Sequence, residues 1–243
     1  LKGMAMLAND QWRTFGQADG WTGNYARTIT ERANGDLLIT TFDGHVLEFS
    51  EDRFEELPDP PGERERGYLG FVDDAGRWCV AQHAFIGHWD GTRWQATIAT
   101  ENLRSARIGA APARDGGQWI LLGRELSKYR DGNQLIHHTL EGLSGGVWSM
   151  FEDRAGNVWI CSYETGLYRV DPGGGLRRWT TEDGLTYAGV RCIFEDRERN
   201  LWGGTSGGGL LGFVDRRANG LNVFFGTLGS TLGSYSNGYV WIA

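Results

Sequence analysis

Along residues 147–181 apolar and polar positions alternate in four short stretches, "VWSMFED", "NVWICSY", "GLYRVD" and "LRRWTT", each bounded by Gly, Asp or Asn. Alternation of period two predicts half-buried or buried strands, and the bounding residues are those that favour tight reversals. The stretch therefore predicts four strands joined by hairpins. One segment, "ENLRSARIGAAPAR", residues 101–114, has helical propensity, but its place in the pattern described next predicts strand there.

The four-strand pattern recurs. The phrases "ERANGDLLIT", "DDAGRWCVA", "ARDGGQWIL", "EDRAGNVWI", "EDRERNLWGG" and "YSNGYVWIA" align on the marker residues Leu38, Trp78, Trp119, Trp159, Trp202 and Trp241, at spacings of 40, 41, 40, 43 and 39 residues. Four short strands every forty or so residues are the signature of a β-propeller blade. The carboxylate-rich turn, "FEDRAGN" at 151–157 and "FEDRERN" at 194–200, occupies one fixed point of each unit. A catalytic pair would be needed once. This one recurs, so Asp153 and Asp196, with Asp73, Asp74 and Asp115 at equivalent places, are read as turn residues that bond the reversing backbone. The spacing does not supply the alternating oxygen ligands of a calcium loop. The tryptophans are read as packing between neighbouring blades.

An open array of sheets leaves unpaired edges. Residues 1–15 resemble only the last two strands of a unit, and the final residues only its second strand, preceded by glycine-rich sequence. Joined end to start they make one further period. The expectation is an all-β, single-domain β-propeller over 1–243, with six four-stranded blades closed by pairing of the N- and C-terminal strands. Full blades run about 16–57, 58–97, 98–139, 140–180 and 181–225, and one blade is shared by 1–15 and 226–243. The alternative is part of a seven-bladed ring.

Composition supports the pattern and narrows the partners. Glycine is abundant, 38 of 243 residues, and proline scarce at 5, which suits many tight turns; eleven Trp, eleven Phe and eight Tyr supply buried surface that a disordered chain lacks. Net charge is −7 and the only lysines are Lys2 and Lys128, so no phosphate-tracking surface and no nucleic-acid partner are expected. Cys79, Cys161 and Cys192 are too few and scattered for a disulfide framework or a zinc site and read as buried thiols. The chain has no apolar run of 18 residues and no signal-peptide pattern at its amino terminus, hence no membrane segment is expected in it.

The units "GLSGGVWSMFEDRAGNVWICSYETGLYRVD" and "GLTYAGVRCIFEDRERNLWGGTSGGGL" resemble the two-component regulator propeller repeat: a Gly-Leu, an apolar strand, an acidic turn, a Trp strand and a second Gly-Leu turn. The resemblance is specific over 140–215 and weaker over 20–135. It implies a bacterial sensory domain outside the cytoplasmic membrane, in the periplasm, that recognises a small molecule or carbohydrate and passes the signal to an attached or associated sensor kinase. Members commonly have seven blades, and the chain contains no kinase segment.

In a propeller the innermost strand of each blade starts at the mouth of the central channel. Eleven residues before the markers, within one position, stand Arg27, Tyr68, Arg107, Trp148 and Arg191. Guanidinium forks and aromatic faces around one opening would seat a small anionic or carbohydrate ligand through bidentate hydrogen bonds and stacking. A second tier comes from the turn between second and third strands: Phe42 and Asp43, Gln82 and His83, Arg124, Tyr163 and Glu164, and Ser206. The expected binding set is Arg27, Tyr68, Arg107, Trp148, Arg191, His83, Tyr163 and Glu164.

For catalysis, only His83 with Asp43, Glu164 or Tyr163 offers acid–base chemistry. His137 and His138, adjacent on a strand, point to opposite faces and cannot share a metal; His45 and His88 read as isolated. No nucleophile-elbow, zinc-helix or phosphate-loop motif occurs. The balance falls against an enzyme, with no catalytic residue, metal or cofactor assigned. The alternatives are a propeller lyase or hydrolase acting on a polysaccharide or small molecule, and a protein-docking scaffold.

Overall fold

Alternation of side chains across a strand organises the whole chain. Val158 and Ile160 enter one apolar cluster with Trp119, Leu121 and Val147, whereas Trp159 and Cys161, between and beside them, enter another with Leu167, Val190 and Ile193. A strand whose two faces both meet an apolar layer is buried at every position. That is why the marker strands read as nearly continuous hydrophobic runs.

The computed structural model describes residues 3–8, 11–61, 68–82, 85–98, 107–213, 232–234 and 240–242. Its strands are β1 (Met4–Ala8) and β2 (Gln11–Phe15); β3 (Ala26–Glu31), β4 (Leu37–Thr41), β5 (Val46–Ser50) and β6 (Arg53–Glu56); β7 (Leu69–Val72), β8 (Trp78–Gln82), β9 (Phe85–Trp89) and β10 (Trp94–Ile98). They continue with β11 (Ile108–Pro112), β12 (Gln118–Leu122), β13 (Glu125–Arg130) and β14 (Asn133–Thr139); β15 (Val147–Glu152), β16 (Val158–Ser162), β17 (Leu167–Val170) and β18 (Leu176–Trp179); β19 (Val190–Glu195), β20 (Leu201–Thr205) and β21 (Leu210–Phe213); and finally β22 (Leu232–Ser234) and β23 (Val240–Ile242). Among the described residues no helix is long and apolar enough to cross a membrane.

The chain divides into two compact units, residues 1–106 with 231–243, and residues 107–230. The first holds the sheets β3-β4-β5-β6, β7-β8-β9-β10 and β2-β1-β23-β22; the second holds β11-β12-β13-β14, β15-β16-β17-β18 and β19-β20-β21. Every pairing within these sheets is antiparallel, as in a meander of hairpins.

Among the described residues the chain is thus an all-β propeller with five four-stranded blades, which corrects the expected six-bladed closed ring and its seven-bladed alternative. The sheet that begins at Val190 has three strands among the described residues. β1 pairs with β23 through Ala5–Ile242, Met6–Trp241 and Leu7–Val240, but this pairing builds a sheet of the first unit and closes no ring of six. The regular spacing of markers predicted equal blades because it counted second strands alone.

The acidic turns are structural, and each carboxylate has a separate task. Asp153 Oδ1 accepts the backbone N–H groups of Ala155 and Asn157 at 2.9 Å, while its Oδ2 accepts the Trp159 indole N–H at 2.8 Å. Asp196 repeats this with Asn200 and Trp202. The preceding glutamate reaches to the neighbouring blade: Glu152 accepts the backbone N–H of Arg114 at 2.5 Å, and Glu195 that of Arg154 at 2.8 Å. One residue of the pair closes its own hairpin and ties down the marker; the other joins successive blades.

Inner strands are also joined by hydroxyls. In the first unit Thr28 Oγ1 accepts the Gly70 N–H at 3.0 Å and Thr30 Oγ1 donates to the Gly70 carbonyl at 3.0 Å. A Cβ at position 70 would lie 2.9 Å from both Thr28 Oγ1 and Thr40 Cγ2, so this close approach requires glycine. In the second unit Ser149 Oγ donates to the Arg191 carbonyl at 2.8 Å.

Candidate functional site

The residues counted back from the markers lie at the beginnings of inner strands. Arg27 and Trp148 are second residues of β3 and β15, Arg191 is the second residue of β19, and Tyr68 and Arg107 immediately precede β7 and β11. Hairpin geometry puts the turns between second and third strands of each sheet at the same end, because antiparallel strands reverse there. His83 lies outside the described residues.

In the first unit, Tyr68 is fully buried in the cluster with Trp78 and Phe85, and its hydroxyl donates to the Pro60 carbonyl at 3.2 Å. The Arg27 guanidinium carbon stands 6.0 Å from the Phe42 ring centroid. Beyond the β4–β5 turn comes a cluster the sequence did not reveal. His45 Nδ1 lies 2.8 Å from Glu56 Oε1, and His45 Nε2 lies 3.8 Å from Asp43 Oδ2.

Each member of this cluster is held by a further bond. Thr22 Oγ1 donates to Glu56 Oε2 at 2.8 Å, Thr41 Oγ1 to Asp43 Oδ1 at 2.6 Å, and the Asn24 backbone N–H to the same Oδ1 at 3.1 Å. Partial burial works to raise the Asp43 carboxyl, but these bonds, with the charge of His45, hold it below the ordinary carboxylate value. Gly23, at φ +83°, passes over the ring so closely that a Cβ there would lie 2.8 Å from His45 Cδ2. The contact with Glu56 fixes the imidazole plane and turns Nε2 toward the Asp43 side. The ring keeps 21% of its side-chain surface exposed, so a small molecule can reach it.

In the second unit the structure brings together Trp148, Tyr163, Arg191 and Ser206. The Trp148 and Tyr163 ring centroids are 4.1 Å apart, and the Arg191 guanidinium carbon stands 4.6 Å from the Trp148 centroid. Arg191 Nε donates to Ser206 Oγ at 3.1 Å. Arg107 Nε donates to the Gly145 carbonyl, beside Gly146, whose missing side chain makes room for the Tyr163 ring. Glu164 is exposed next to Tyr163. Gln82 is buried, and Arg124 pairs with Glu141 at 3.3 Å on an exposed surface.

Other histidines serve the sheets. His137 bridges Ser127 Oγ at 3.0 Å and Glu125 Oε2 at 2.9 Å across β13 and β14, while the ring of His138 lies against Gly174. His88 accepts from Arg77 at 3.2 Å; burial first, then the Arg77 charge, lowers its pKa below the usual histidine value. Among the described residues no three His, Cys, Asp or Glu side chains are arranged to hold a metal ion. Cys79 and Cys161 are buried thiols, and Cys192 is partly exposed.

His45 and Glu56 were missed because they are eleven residues apart, one just before β5 and the other at the end of β6; the register of β5 on β6, Leu47 opposite Glu56, is what joins them. The signal available was modest: a histidine two residues after Asp43 in the same turn as the second-tier positions.

Comparison with known proteins places this geometry. The model of the two component regulator propeller matches residues 141–164. No curated protein matches the chain in sequence. Among solved structures, a streptogramin B lyase is 13% identical with a TM-score of 0.67, covering 86% of this chain and 71% of its own. A catalytically inactive histidine-to-alanine variant of virginiamycin B lyase from Staphylococcus aureus, solved with quinupristin, is 11% identical with a TM-score of 0.69, covering 89% and 74%. The extracellular domain assigned to a hybrid two component system of B. thetaiotaomicron is 18% identical with a TM-score of 0.65; the match covers 91% of this chain and 32% of that one.

At these identities the likeness is one of fold. It nonetheless corrects the balance struck against an enzyme, since propellers with TM-scores of 0.67 and 0.69 are lyases and since His45 is not isolated. The chain is a β-propeller domain that resembles both two-component sensor propellers and propeller lyases.

Proposed function

We propose that this propeller binds a small anionic or carbohydrate molecule and acts on it as a lyase or hydrolase, with His45 as the proton-transferring residue. The observation that carries the reading is the placement of His45 between Glu56 at 2.8 Å and Asp43 at 3.8 Å, with 21% of its side-chain surface exposed. In a lyase reaction a base removes a proton next to an electron-withdrawing group, the electron pair forms the double bond, and the C–O bond to the leaving group breaks. His45 Nε2 takes that proton, Glu56 holds the ring in the required tautomer, and Asp43 faces the Nε2–H that results. In a hydrolysis the same nitrogen would take a proton from water.

The likeness to a lyase that is inactive when one histidine is replaced supports this reading. The test is incubation with quinupristin and with uronate-containing polysaccharides, read by mass spectrometry for linearised or unsaturated products. Wild-type protein is expected to convert one of these probes, and His45→Gln to lose at least ~100-fold in rate. Absence of conversion of all of them, or equal conversion by His45→Gln, would sink the catalytic reading.

A second reading is a sensor. It is supported by the regulator-propeller match over 141–164 and by the likeness to extracellular domains of two-component systems. In that reading the domain stands outside the cytoplasmic membrane, and ligand binding is passed to an attached or associated kinase without turnover. Binding of a probe without product, by protein whose His45→Gln variant binds equally well, is the result that selects it.

A further inference from the structure

The face of the second unit carries an arrangement that packing does not require. Arg191 lies with its guanidinium over the Trp148 indole, 4.6 Å from the centroid, and its Nε donates to Ser206 Oγ at 3.1 Å. Stack and hydrogen bond fix the plane of the fork, and among the described residues its two terminal nitrogens receive no further bond. A guanidinium held flat, with its outer edge open, is preorganised for a carboxylate.

Two exposed tyrosines flank it. Tyr163, 37% exposed, packs against the Trp148 ring at a centroid distance of 4.1 Å. Tyr187, 46% exposed, rests on glycine: a Cβ at Gly189 would lie 3.3 Å from its Cε1 and one at Gly207 3.3 Å from its Cε2. The same Cβ at Gly189 would lie 3.1 Å from Ser206 Oγ and 2.7 Å from the Tyr163 carbonyl oxygen, so Tyr187 adjoins Ser206, the partner of Arg191, and the backbone of Tyr163. Both rings keep an exposed surface near the guanidinium. They offer a surface for another ring.

We propose that this face is a binding site for a small cyclic carboxylate, its carboxylate bonded to the outer edge of Arg191 and its ring stacked on Tyr163 or Tyr187. The proposal rests on the reading of this propeller as a binder of a small anionic or carbohydrate molecule, and it gives a ligand of that class a place on the second unit. Tyr187 is the residue added: no counting rule along the repeat reaches it, because it lies in the connection between β18 and β19. The shared chemistry admits two sources, a sugar acid or an aromatic acid.

The experiment titrates the whole chain with glucuronate, with phenylacetate, and with their neutral counterparts glucose and phenylethanol, following tryptophan emission and heat. At least one of the two acids is expected to bind with a change in emission, at least ~10-fold more tightly than its neutral counterpart, and Arg191→Gln is expected to remove ~10-fold or more of that affinity. Tyr187→Ala, which changes an exposed residue and leaves the far-ultraviolet circular dichroism intact, is expected to weaken binding several-fold. Preference for glucuronate identifies a sugar acid, and preference for phenylacetate an aromatic acid. Failure of both acids to bind, equal binding of neutral counterparts, or full affinity in a folded Arg191→Gln protein overturns the proposal. Turnover of a probe without binding of either acid refutes this site and leaves the catalytic reading standing; binding without turnover does the reverse.

Discussion

The indole N–H of Trp159 donates to Asp153 Oδ2 at 2.8 Å, and both residues are buried. In the preceding blade the equivalent bond is absent: Ala113, bonded through its backbone to Gly117, stands where Asp153 does, and among the described residues the Trp119 indole N–H has no partner. Two tryptophans at the same place in the repeat thus have different supports.

Replacing each by phenylalanine separates the ring from the hydrogen bond. Both variants lose indole volume, but only Trp159→Phe strips a donor from a buried carboxylate. Trp159→Phe is expected to cost about 1.5 kcal/mol more than Trp119→Phe in urea melts. Equal costs would mean that the indole bond contributes nothing to stability.

The Asp196 turn carries a pH dependence of definite sign. Burial works to raise its carboxyl, but the Trp202 indole, the Asn200 amide and backbone bonds outweigh burial and lower it below the ordinary value. A depressed folded-state pKa contributes stability that is fully present above the unfolded carboxylate value, near ~3.9, and is lost as pH falls through the folded value. Asp196→Asn is expected to lower stability at pH 7 and to flatten its decline below about pH 4. A variant whose acid-unfolding profile parallels that of wild type would contradict this.

The glutamates that reach the neighbouring blade should act on stability without touching chemistry. Glu195→Ala frees the Arg154 backbone N–H from its 2.8 Å bond and is expected to cost about 1–2 kcal/mol in denaturant, with probe binding unchanged.

Thiol chemistry reports the packing directly. Burial pushes the Cys79 and Cys161 thiols well above the ordinary cysteine value, and Cys192 alone is partly exposed. The native protein is expected to react with a water-soluble disulfide reagent at Cys192 only, and at all three in denaturant. Rapid native labelling of Cys161 would mean that the layer between β16 and β19 opens readily.

Much of the fold was legible because it rests on local, repeated chemistry. Marker residues Leu38, Trp78, Trp119, Trp159 and Trp202 each fall on the second strand of a sheet, and the recurring Asp of "FEDR" is a turn cap. The number of blades was not legible, since the markers count second strands alone. The site was legible only in part. Trp148, Tyr163 and Arg191 come together because strand starts and second turns of adjacent sheets share an end, which the repeat frame encodes. Joining His45 to Glu56 depends on the β5–β6 register, and Tyr187 depends on which glycines leave a floor beneath its ring; neither is a property of spacing.

The most direct measurement is a mass-spectrometric time course of quinupristin and uronate-polysaccharide conversion by wild type, His45→Gln and Glu56→Gln proteins side by side. The account predicts conversion by wild type, a loss of at least ~100-fold for His45→Gln, and a smaller loss of about 10-fold for Glu56→Gln, which leaves the imidazole in place but loosens its orientation. Conversion by a folded His45→Gln protein at the wild-type rate would contradict it.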